Sequence, residues 1–109
     1  LTTSVAFAHD AESRPSFVAP IYLSYDWVLK SPVPVDAAPM FLAAATDDEL
    51  GLGPHSVRLY ADWVAAGAPA ELHMYARGRH GFAMRTQNIP ADGWIEAFWR
   101  WLAMLDIVK

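Results

Sequence analysis

Cysteine is absent from the 109 residues. That excludes disulfides, thiolate metal sites and a cysteine nucleophile. It leaves the redox compartment open. Charge is scarce as well: 18% of the residues are charged, the net charge is −4, and no basic cluster occurs. Neither a nucleic-acid partner nor an anionic membrane surface is expected. No apolar run approaches the ~18 residues of a membrane span. The first residues lack the charged-then-apolar layout of a signal peptide.

Apolar surface is what the chain has in plenty: 54% of it is hydrophobic and 13% aromatic. The length suits one small domain. Small domains bury a smaller fraction of their surface than large ones, so this composition is rich for a free-standing one. Together with Leu1 in place of a methionine, it leads us to expect that residues 1–109 form a single partial domain of something larger.

Residues 1–8 are small and apolar, and 9–15 form a polar loop ending in Pro15. Residues 16–25 read as a strand weakened by Pro20, which belongs near an edge or a strand end. Three prolines make 26–39 an irregular connection. The run MFLAAAT at 40–46 suits a strand buried on both faces of a parallel sheet, although alanine is a poor strand former. Pro54 fits a first helical position and Gly67 the position past a helix end. Between them Val57, Tyr60, Ala61 and Val64 recur at helical spacing, widened by Leu59, Trp63 and Ala66. Residues 70–76 alternate, with Leu72 and Met74 on one side and Glu71, His73 and Tyr75 on the other. Loops follow at 77–81 and 85–91. A last helix starts near Asp92, an apt N-cap, with an apolar stripe of Trp94, Ala97, Phe98, Trp101, Leu102 and Leu105. Strands alternating with helices argue for an α/β fold with parallel strands and crossover helices.

In such sheets functional groups gather at the carboxyl ends of the strands. Asp47 and Asp48 follow the strand 40–46. His80 lies in ARGRHGF, just after the strand 70–76. Neighbouring strands would bring Asp48 and His80 together. A carboxylate beside an imidazole fixes its tautomer and stabilises the imidazolium formed when the ring takes a proton. Gly78 and Gly81 would let the loop turn tightly and let backbone approach the ring. The missing partner is a nucleophile. None of Ser4, Ser13, Ser16, Ser24, Ser31 and Ser56 stands in a G-x-S-x-G elbow.

The segment from Pro39 to Arg85 resembles the C-terminal part of an α/β-hydrolase esterase. It is most similar to the acetylesterase and xylan-esterase-like set, related to feruloyl-esterase-type hydrolases. Three features carry the resemblance: TDDEL after a buried strand, SVRLYADWVAAGAPAELHMY as helix, glycine and strand, and GRHGFAMR as a histidine loop. It covers about residues 16–105. It implies Asp48 as the triad acid, with Asp47 second, and His80 as the base. It implies a small-molecule or carbohydrate ester as substrate and no metal or cofactor. Two departures stand out. Gly51 occupies a position where many relatives have valine, which would loosen the acid loop, and the nucleophile elbow and oxyanion loop have no counterpart here.

Other readings compete with these. A prolyl-oligopeptidase-type peptidase shares the Asp loop, helix and His-Gly layout. A non-catalytic, partner-binding remnant would expose apolar surface. His73 reads as structural, His55 and His9 as surface residues, and no further ligands at a recognisable spacing support a metal site with His80. Trp63, Trp94 and Trp101 belong to apolar stripes, whereas Trp27 is a candidate pocket lining. Arg77, Arg79 and Arg85 read as solvated. Oligomeric state and compartment are not legible.

Overall fold

The computed structural model describes residues 14–21, 32–82 and 86–107. The readings for 1–13, 22–31 and 83–85, including His9, Trp27 and Arg85, lie outside the described residues. The elements in chain order are β1 (Met40–Ala45), α1 (Gly53–Ala65), β2 (Ala70–Tyr75), a 3-10 turn (Pro90–Gly93) and α2 (Trp94–Met104).

Strands β1 and β2 pair in parallel, from Met40 against Ala70 to Ala45 against Tyr75. The other edge of β1 carries the segment around Val18. Val18 N–H donates to Pro39 O, and Phe41 N–H donates to Val18 O, both at 2.9 Å. Met40 N–H, one residue earlier and so pointing the opposite way, donates to Pro69 O at 3.0 Å. Where a full strand was expected from residue 16, the described part makes only two isolated parallel bridges, Val18 to Met40 and Ile21 to Ala43. Pro20 lies between them and has no N–H to give to a ladder.

Because β1 is paired on both edges, its two faces decide the layers. Met40 and Leu42 face one core with Val18, Leu59 and Trp63. Phe41, Ala43 and Ala45 face a second core with Phe82, Ala91, Trp101 and Leu102. Helix α1 therefore covers one face and α2 the other. Every residue of β1 is buried, which is why the run is continuously apolar rather than alternating. Near the carboxyl end of β1, a Cβ on Gly53 would lie 2.8 Å from Ala45 O, so helix and strand end are in close contact there.

Helix α1 stops as expected. Gly67 takes φ +80°, its N–H donates to Val64 O, and Ala68 N–H donates to Trp63 O, a Schellman ending. Its inward face differs from the expected one. Gly53, Ser56, Leu59 and Trp63 are buried, while Val57 and Val64 stay 45% and 49% exposed. The helix is rotated about its axis by Trp63, whose Nε1–H donates to the buried Ala38 O at 2.9 Å. Small residues, Gly53 and Ser56, then fill the inward positions nearest the strand end. The stripe on α2 matches its expected residues: Trp101 and Leu102 are buried, and Trp94, Ala97, Phe98 and Leu105 pack against the same core. Asp92 is not its N-cap. Its carboxylate accepts N–H groups from Gln87 and Asn88, bracing the preceding loop, and Gly93 occupies the cap position.

Trp63→Phe removes the indole donor and strands a buried carbonyl, so it should cost about 2 kcal/mol. Urea unfolding of wild type against variant, with an unchanged m-value, reads this directly.

Candidate active site

The site lies where β1 and β2 end side by side. After β1 the chain turns sharply: Asp48 N–H donates to Ala45 O at 3.3 Å, and Gly51 N–H donates to Asp48 O at 3.0 Å. Leu50 N–H donates to Asp48 Oδ1 at 2.8 Å, the self-closing turn that aspartate favours. The Asp48 side chain is only 1% exposed. A buried carboxylate is costly unless both oxygens find donors. The second donor comes from the other loop: Asp48 Oδ2 lies 2.8 Å from His80 Nδ1.

A carboxylate only accepts, so His80 Nδ1 carries the hydrogen of that bond. In the neutral ring the lone pair is then left on Nε2. The His80 side chain is 29% exposed, enough for another molecule to reach it. Asp47 and Asp48 thus have different partners despite their adjacency. Asp47 Oδ1 accepts the Arg79 backbone N–H at 2.6 Å and Asp48 takes the ring.

The histidine loop is built unusually. Arg79 has φ +62° and Gly81 φ +75°, one on each side of His80. The left-handed region costs a residue with a side chain roughly 1–2 kcal/mol, so Arg79 is held there by its surroundings. Asp47 supplies one hold. Glu49 Oε2 supplies another, accepting the His80 backbone N–H at 2.9 Å and lying 3.4 Å from Arg79 Nε. That N–H donor on His80, then Glu49's own backbone N–H, and less strongly the Arg79 charge, hold the Glu49 carboxyl below the usual glutamate range. Gly78 is packed rather than free: a Cβ there would meet Ala91, Ala45 and Phe82 at 3.2–3.3 Å. The neighbours that require glycine are thus core groups, not the imidazole. Phe82 then buries itself edge-on to Tyr75 and Trp94, anchoring the loop on its far side. Burial pushes the Tyr75 phenol above its ordinary value, which keeps it neutral.

Sequence reasoning did not single out Glu49. Its signal was the third acid in the run DDE, which looks like ordinary turn polarity until its partner loop is known. His73 is structural as expected: Nε2 lies 2.7 Å from Glu71 Oε2, and the ring packs near Phe41 and Tyr75. His55 is half-buried rather than a free surface residue. Among the described residues no group of three or more acidic or histidine side chains is arranged to hold a metal ion, and no helix is long and apolar enough to cross a membrane.

No family model and no curated protein sequence matches the chain. Solved structures do. One is the acetyl ester-xyloside bifunctional hydrolase from Caldicellulosiruptor lactoaceticus, with a TM-score of 0.81 and 20% identity over 89% of this chain and 45% of that one. Another is MGS-M1, an α/β-hydrolase enzyme from a Medee basin deep-sea metagenome library, with a TM-score of 0.71 and 19% identity over 91% of this chain and 48% of that one. The chain spans less than half the length of either.

Two outcomes test the loop. Gly81→Ala meets nothing within 4 Å, so its cost should be purely conformational, about 1 kcal/mol by denaturant melts. Glu49, with its lowered value in the folded chain, contributes fully above the usual glutamate range and loses its hold as pH falls through its own lower value. In an acid titration followed by NMR, the His80 amide resonance should move with that midpoint. The chain has the α/β-hydrolase fold and corresponds to the C-terminal half of the two hydrolases it matches.

Proposed function

We propose that this chain carries the acid and base of a serine carboxylesterase whose serine lies upstream of Leu1. The observation that supports this best is the 2.8 Å bond between His80 Nδ1 and the buried Asp48 carboxylate. It stands at the carboxyl ends of adjacent parallel strands, and in the neutral ring it puts the lone pair on Nε2.

The reaction follows from that geometry. His80 Nε2 removes the proton from the serine hydroxyl as its oxygen attacks the ester carbonyl. Asp48 keeps Nδ1 protonated and stabilises the imidazolium that forms. Backbone N–H groups outside this chain hold the developing oxyanion. His80 then gives its proton to the leaving alcohol, and a water repeats the cycle on the acyl-enzyme. We assign as substrates acetyl esters of sugars or xylan-type molecules. The support is the similarity of TDDEL and GRHGF to acetylesterases, together with the fold likeness to a hydrolase whose name includes acetyl ester.

The test has two parts. The reading frame upstream of Leu1 should encode G-x-S-x-G on a strand-to-helix pattern; an unrelated sequence there would sink the proposal. In the protein expressed from that whole frame, His80→Ala and Asp48→Asn should each lower kcat on p-nitrophenyl acetate by roughly 10⁴-fold. Asp47→Asn, whose amide oxygen can still accept the Arg79 N–H, should lose far less. Equal losses at Asp47 and Asp48 would refute the assignment of the acid.

A further inference from the structure

Three consecutive acids meet the histidine loop, and only one of them touches the ring. Asp47 takes the Arg79 N–H at 2.6 Å, Glu49 takes the His80 N–H at 2.9 Å, and Asp48 takes the imidazole at 2.8 Å. We infer that Glu49 is a positioning residue: its carboxylate fixes the His80 backbone so that the ring is already aligned when a proton must move. The inference rests on the esterase reading for its effect on turnover, but its structural core does not need it.

His80 is flanked by two left-handed residues, so no helix or strand ladder sets the direction of its Cα–Cβ bond. The bond at Nδ1 ties the ring to Asp48 but does not itself set the backbone that carries the ring. An anchor on the same residue's N–H, from a side chain 31 positions away, fixes that backbone. Both anchors come from one short turn, residues 48–49, which is itself closed by Leu50 N–H on Asp48. Acceptor and acid therefore move as one body, and the loop is referenced to the same turn at backbone and ring. A charged acceptor makes the stronger bond to an N–H. Misplacement by about 1 Å can cost roughly 100-fold in rate, so a backbone anchor on the base matters more than its exposure suggests.

The experiment compares Glu49→Ala with Glu49→Gln in the protein expressed from its whole reading frame. Positioning predicts that Glu49→Ala lowers kcat by roughly tenfold to 100-fold while KM holds within roughly twofold. Glu49→Gln, which keeps an acceptor oxygen, should recover most of the loss. The independent readout is the downfield Nδ1–H proton resonance of His80, identified by its loss in His80→Ala. It should broaden or vanish in Glu49→Ala, with the thermal midpoint close to wild type, and return in Glu49→Gln. An unchanged resonance and kcat in Glu49→Ala would overturn the inference. So would a kcat loss that merely tracks a lowered thermal midpoint and is not rescued by Gln. If His80→Ala keeps full turnover, the esterase reading fails instead, and the resonance alone decides the role of Glu49.

Discussion

Everything in this chain depends on β1 being buried on both faces and paired on both edges. A strand in that position has no polar face to offer, so Met40 to Ala45 are all apolar. It also needs a helix against each face. Trp63 and Leu59 of α1 supply one cover, and Trp101 and Leu102 of α2 supply the other. Its ends are the only places where the chain can return to water, and the polar groups collect there. The acid run 47–49 follows β1 directly after Thr46, and the histidine loop follows β2. Parallel pairing puts these two exits next to each other.

That adjacency explains how a short loop holds an imidazole in place. Loop 77–81 has little regular backbone bonding of its own and includes Arg79 and Gly81 in the left-handed region. Its order comes from outside: acids of the neighbouring turn on one side, Phe82 in the core on the other. Asp48 is in turn buried safely only because His80 and Leu50 supply donors to its two oxygens. Each loop satisfies the other's polar groups, and neither geometry stands alone.

Much of the fold was legible because burial on two faces leaves a strong pattern. The continuous run at 40–46, the alternation at 70–76 and the stripe on α2 each reflect which faces meet apolar neighbours. Helix α1 was read one step around its axis. Its apolar residues span more than one face, and periodicity alone ranks Val57 and Val64 above Ser56. The rotation follows from the Trp63 bond to Ala38 O and the close approach at Gly53, both of them contacts across the chain. The segment around Val18 lost its expected strand to a missing proline donor.

The sequence by itself determined the class of the fold, the order of β1, α1, β2 and α2, and the two loops where polar chemistry could lie. These are local properties, written in spacing, glycine and proline. The family resemblance of TDDEL ranked Asp48 ahead of Asp47, but the contact between an acid and the ring exists only in the tertiary structure. Asp47, Asp48 and Glu49 are chemically near-equivalent in the chain. They are told apart by a turn that buries Asp48 and leaves its neighbours to two backbone N–H groups more than thirty positions away. Long-range pairing of that kind is set by the register of two parallel strands, and no local pattern encodes it.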